Sequence, residues 1–140
     1  MLGLLGRPMS DPRVDAWAQR CGLRPGQLGN IMCNDYGFEL DMDSSMTVTS
    51  IVLYANEGGG GFSQYAGSLP GGLAFTDTYP VVVGKLGQPL ELVGGSGATE
   101  VSARYSAPPY ELSVTFTTWY KSAEYLARAT VHMIAIGLTQ

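Results

Sequence analysis

From Asp35 onward the chain alternates with a period of two. Tyr36, Phe38, Leu40 and Met42 fall on one side, and Asp35, Glu39, Asp41 and Asp43 on the other. Successive side chains of an extended chain point to opposite faces, so this pattern predicts a half-buried strand. Thr47 to Ala55 is rich in β-branched residues and predicts its antiparallel partner across a Ser44-Ser45 turn. Before this hairpin the period is helical. Asp11-Pro12 is a helix start, because the Asp side chain can accept from free backbone donors and proline at the first helical position gives up no hydrogen bond. Val14, Trp17, Ala18 and Cys21 then form one apolar face, and Gly22 ends it. Leu23 to Asn30, with Pro25 and Gly26, reads as loop.

After the hairpin, Gly58 to Gly61 open a loop that runs through Phe62 and Tyr65 to Pro70. The stretch Leu69 to Pro89 carries a second helix, with Thr76 or Asp77 as its cap and Tyr79, Val82, Val83 and Leu86 as its apolar face. Pro80 must lie in its first turn, and Gly87 is its stop. Leu90 to Val93, Thr99 to Tyr105, and a strand from Tyr110 with Leu112, Val114 and Phe116 inward follow, broken by Gly94 to Gly97 and by Pro108-Pro109. Lys121 to Glu124 reads as a turn into a last strand, Tyr125 to Ile136, whose two apolar faces mark it as central.

These elements predict an α+β fold, an antiparallel sheet of five to six strands with two short helices on one face. At 140 residues the chain reads as a single domain, 1–140. Leu5-Gly6-Arg7-Pro8 echoes Leu86-Gly87-Gln88-Pro89, which leaves open two helix-hairpin halves, 1–57 and 70–140, joined by the glycine-rich loop.

Composition narrows the function classes. Hydrophobic residues make up 45% and charged residues 14%, which excludes a disordered chain. A net charge of −4 argues against nucleic-acid and anionic-membrane binding, since both need a basic patch. The amino terminus fails as a secretory signal, and no run of some 18 apolar residues could span a membrane. Cytoplasmic residence follows as the expectation, with Cys21 and Cys33 as buried thiols and a disulfide between them as the lesser alternative.

Candidate chemistry is sparse. His132 is the only histidine and has no local nucleophile motif beside it. Asp41 to Ser45 begins like a calcium loop but has Met46 where glycine is required and Val52 where glutamate is. The two glycine runs lack the features of a phosphate loop, so no catalytic residue, cofactor or metal is assigned. The acidic stripe Asp35, Glu39, Asp41 and Asp43 is more informative. Residues two apart on a strand stand roughly 6.6–6.8 Å apart on one side, so the stripe suits a basic cleft and would steer association, the plainer alternative being an ordinary solvated face. Tyr54, Phe62, Tyr65, Tyr105, Tyr110, Trp119, Tyr120 and Tyr125 gather at strand ends and loops, where tyrosine serves as an interface anchor. The partner-binding set taken from these patterns is Asp35, Glu39, Asp41, Asp43, Glu57, Phe62 and Tyr65.

Leu5-Gly6-Arg7-Pro8, Ser50-Ile51-Val52-Leu53-Tyr54, Tyr65, Leu69-Pro70-Gly71-Gly72-Leu73 and Leu86-Gly87-Gln88-Pro89 together resemble small bacterial immunity proteins encoded beside polymorphic toxins, including type VI secretion effectors. That resemblance implies a non-enzymatic protein that binds and neutralises a cognate toxin, plausibly a nuclease with a basic cleft. Gly72 to Pro89 is also similar to an element of small BamE-like outer-membrane assembly lipoproteins, which implies an envelope-assembly or ligand-binding module instead.

Overall fold

Helix α1 (Pro12–Cys21) begins where the sequence places it, because the Asp11 carboxylate accepts from the Arg13 amide at 2.9 Å and its carbonyl accepts from the Asp15 amide. The Arg13 guanidinium also bonds this carboxylate, which holds the Asp11 carboxyl below its usual range. Val14 and Ala18 are the buried positions of its inner face. The computed structural model of the chain describes residues 1–21, 30–55 and 63–139. Its further elements are β1 (Asn30–Cys33), β2 (Phe38–Met42), β3 (Val48–Tyr54), α2 (Tyr79–Leu86), β4 (Glu91–Val93), β5 (Ser102–Ala107), β6 (Tyr110–Phe116), α3 (Ala123–Leu126) and β7 (Val131–Leu138).

The seven described strands form one sheet in the order β1-β2-β3-β7-β6-β5-β4, and every neighbouring pair is antiparallel. The fold class is therefore α+β with a single antiparallel sheet, carrying one or two more strands than the pattern predicts. The surplus lies at the edge: β1 is only four residues long and alternates too briefly to stand out in the sequence. Strand β7 is central, as its two-sided apolar character implies. It begins at Val131, however, and the segment predicted as its first turns contains α3. There Ala123 to Leu126 take the helical period, Leu126 is buried, and Glu124 pairs with Arg128 four residues on at 3.3 Å.

The inner face of the sheet gathers Phe38, Leu40, Ile51, Leu53, Val114, Ile134 and Ile136 into one core with Val14 and Ala18 of α1 and Val82 of α2. Both longer helices thus pack on the same face. The opposite face is small and polar. One register row crosses it from Glu39 through Val52, Ala135, Ser113 and Arg104 to Glu91, and the next runs Asp41, Ser50, Gly137, Glu111, Ser106.

Two local devices set the geometry around this frame. Gly37 has φ 76°, and a Cβ there would stand 2.2 Å from the Ser63 carbonyl oxygen and 2.4 Å from the Tyr65 amide nitrogen. Only glycine lets the segment at Ser63 to Tyr65 close against the start of β2. Asp77 is not the cap of α2, whose N-cap position is Thr78 with no side-chain cap bond. Instead its buried carboxylate accepts from the Ala74 amide at 2.9 Å and from Lys85 Nζ at 2.8 Å, while Lys85 also donates to the Gly72 carbonyl. The Leu69 to Pro89 segment is thereby tied end to end.

Cys21 and Cys33 are joined in a disulfide, with a Cα separation of 5.1 Å. This corrects the expectation of free thiols. The bond links the last residue of α1 to the last residue of β1, a proximity that neither element reveals from sequence because residues 22–29 between them carry no periodicity.

Ile134 is fully buried in the central strand. Ile134→Ala is expected to lower the unfolding free energy by roughly 3–4 kcal/mol in urea titration, with an unchanged dependence on denaturant. A loss below about 1 kcal/mol would contradict the core placement.

Candidate binding surfaces

Glu39 and Asp41 lie two apart on β2 and share the polar face of the sheet, but they do not form a solvated stripe. Glu39 is only 9% exposed. Its carboxyl accepts from Asn30 Nδ2 at 3.2 Å and from the Tyr54 hydroxyl. Burial pushes its pKa up to about 7, reinforced by a hydrogen bond with Asp41 and opposed by the bond from Tyr54. The Tyr54 hydroxyl is itself raised above its usual range, first by burial and then by Glu39. Asp41 Oδ2 accepts from Ser50 Oγ at 2.9 Å, whereas Oδ1 is buried with no conventional donor. Two carboxyl groups can share a hydrogen bond only if one carries a proton, so the closeness of Asp41 acts on Glu39 in the same direction as burial. The pair is internal structure, and Glu39 is removed from the partner-binding set for that reason.

The other predicted residues separate. Asp35 is exposed in a short 3-10 turn ahead of β2 and does not continue the strand pattern. Asp43 is exposed in the β2–β3 turn, where Oδ1 accepts from the Ser45 amide at 2.9 Å and the Thr47 amide at 3.1 Å. Tyr65 is half-buried with its ring 6.2 Å from Phe38, its amide donates to the Tyr54 carbonyl, and burial raises its hydroxyl pKa. Glu57 and Phe62, with the glycine run between them, lie outside the described residues. His132 bonds Glu100 Oε1 through Nδ1 at 2.8 Å and has no cysteine thiol to activate, both cysteines being disulfide-bonded. Among the described residues, no group of three or more His, Cys, Asp or Glu side chains could hold a metal ion.

A surface that the sequence reading underweighted lies after β6. Trp119, Tyr120 and Tyr125 are 49%, 51% and 46% exposed. Their backbone is well held. Gly97 donates to the Trp119 carbonyl at 3.0 Å, Ser96 and Tyr120 form a bridge, Val101 donates to the Thr118 carbonyl, and Thr117 and Thr130 are bonded through backbone and side chain. The Tyr120 and Tyr125 rings stand 5.4 Å apart, and the Arg128 guanidinium lies 5.7 Å from the Tyr125 ring. Together with Gly97, Thr117 and Thr118 they line a cleft of about 430 Å³. Three half-exposed aromatic side chains on a fixed backbone form a preorganised contact surface. The sequence signal for it was Thr117-Thr118-Trp119-Tyr120, aromatics without the period of either flanking element.

No family model matches the chain, and no curated protein does. Among solved structures it is similar to a DUF4309 family protein, YjgB, from Bacillus subtilis subsp. subtilis str. 168. The TM-score is 0.54 at 15% sequence identity, over 89% of this chain and 77% of that one. The likeness concerns the fold alone.

The acid pair makes stability depend on pH. Glu39 has a folded-state pKa above its ordinary value of 4.5, so its contribution is fully present below about 4.5 and is lost as pH rises through about 7. Glu39→Gln imitates the protonated acid. At pH 8 it is expected to stabilise the protein by on the order of 1–3 kcal/mol relative to wild type, and at pH 4 to change it little, as read by thermal and urea unfolding at both pH values. Destabilisation at pH 8 would show that Glu39 is held as an anion.

Proposed function

We propose that the protein is a non-catalytic binding protein, an immunity protein that occludes a cognate bacterial toxin, and that it holds this partner through Trp119, Tyr120 and Tyr125. The observation that carries the reading is the half-exposure of these three rings beside a loop whose backbone is bonded to Gly97, Val101 and Thr130. Aromatic side chains lose little conformational freedom on binding and dominate interface energetics, and a partner could desolvate them without rearranging the loop. Arg128 beside Tyr125 adds a donor and a cation at the margin. The resemblance to toxin-neutralising proteins supports the class of partner, and a toxin with a basic cleft suits the net charge of −4. In this reading Asp35 and Asp43 act at a distance, as exposed charges that speed encounter, and Glu39 takes no part.

The compartment belongs to the proposal. No described helix is long and apolar enough to cross a membrane. The Cys21–Cys33 bond supports an oxidising compartment in place of the cytoplasm expected from composition. It equally suits the envelope-assembly reading, in which the same aromatic surface would engage an envelope protein.

Co-purification with the protein encoded beside it, and rescue of cells from that protein's toxicity, test the assignment. In the purified pair, joint Trp119→Ala and Tyr125→Ala changes are expected to weaken binding at least 100-fold, at roughly 1.4 kcal/mol or more per anchor. Asp35→Lys with Asp43→Lys is expected to slow association at low salt while leaving dissociation nearly unchanged. Unaltered affinity in the aromatic double variant would take this surface out of the mechanism.

A further inference from the structure

A separate groove of about 540 Å³ lies between α2, α3 and β4. Val83 of α2, Leu92 of β4 and Ala123 and Leu126 of α3 give it an apolar wall, and Gln88 and Lys121 are its polar members. Its size falls within the roughly 300–1,000 Å³ typical of small-molecule sites. Ala123 and Ala127 stand four apart on one side of a helical turn, so the α3 wall is low and a chain could lie along it.

Charge selects the occupant. Arg13, Lys85, Arg104 and Arg128 are each tied to a carboxylate of the protein, and Arg20 stacks over Trp17. Lys121 has no such partner among the described residues, and it is the cation of the groove. Its stem passes close over Gly95, where a Cβ would stand 2.6 Å from Lys121 Cγ. Glycine at that position lets the lysine lie against the turn beside the groove. A single ammonium complements a monoanion, whereas a phosphate dianion is better served by two cations or an Arg fork.

We propose that this groove binds an amphiphile made of one unbranched hydrocarbon chain and one carboxylate. The chain lies against Val83, Leu92 and Leu126, and the carboxylate accepts hydrogen bonds from Lys121. The site is distinct from the aromatic surface, which lies on the residues before and within α3, and does not depend on the identity of any protein partner.

Calorimetric titration of the full chain with laurate, dodecanol and dodecyltrimethylammonium, each below its micelle concentration, tests the proposal. Laurate is expected to bind saturably and most tightly, and dodecyltrimethylammonium most weakly. Lys121→Met, which keeps the stem, is expected to weaken laurate roughly three- to tenfold while leaving dodecanol unchanged. Ala123→Trp, at an exposed position, is expected to fill the groove and abolish binding of both. Should that variant melt early, Ala127→Phe replaces it and Lys121→Met still stands alone as a test. Equal affinity for the three amphiphiles, no saturable binding of laurate, or laurate binding unchanged in Lys121→Met would overturn the proposal.

Discussion

The pairing of β7 with β3 on one edge and β6 on the other is the constraint on which the rest depends. The first three strands and the next three are each sequential antiparallel ladders, and β7, made last, is the strand that joins them. Its alternating Val131, Ile134 and Ile136 bury against the common core, while Ala135 and Gly137 keep the other face thin. The same strand anchors the remaining pieces. The Val131 amide donates to the Asp77 carbonyl, and a bridge joins Thr78 to Thr130, so the start of α2 is held to the start of β7. The loop bearing Trp119 is held there too, through Thr117 and Thr130.

On the thin polar face, the Glu39–Asp41 pair is the costliest feature. Two carboxyl groups of like charge stand together where water is largely excluded, and desolvation works against both being ionised. Burial and the neighbouring Asp41 both favour the protonated form of Glu39, while Asn30 and Tyr54 bond its carboxyl oxygens. A residue that looks like surface charge in the sequence thereby becomes part of the sheet's internal bonding. Asp35 and Asp43 are the members of the predicted stripe that are exposed.

Elements with many repeats of their period were legible in the sequence. The α1 face at Val14, Trp17, Ala18 and Cys21, the α2 face ending at Gly87, and the inward Phe38, Leu40 and Met42 fall as their spacing requires, whereas Tyr36, predicted on the same side, lies 44% exposed in the 3-10 turn before β2. The central place of β7 was legible because both its faces are apolar. What was not legible depended on tertiary neighbours. Alternation correctly put Glu39 and Asp41 on one face, but whether that face meets water is decided by Asn30, Ser50 and Tyr54 on other strands. The Cys21–Cys33 bond depends on how β1 returns to α1, and four-residue elements such as β1 and α3 offer too few repeats to separate strand, helix and loop. The aromatic cluster was counted in the sequence, yet its weight was assigned to the Gly58 to Tyr65 segment, because nothing local says that Tyr65 packs on Phe38 while Trp119 faces outward.

Two segments of the chain differ in what they expose. Residues 35–43 are committed to turns and to a buried acid pair, while residues 117–128 present exposed aromatic rings and contribute Lys121, Ala123, Leu126 and Ala127 to the groove. The central claim is that recognition resides in the second segment. Hydrogen exchange of the chain, free and bound to the protein encoded beside it, tests this most directly. The account predicts new protection across residues 117–128 with little change across 35–43, and protection confined to 35–43 would contradict it.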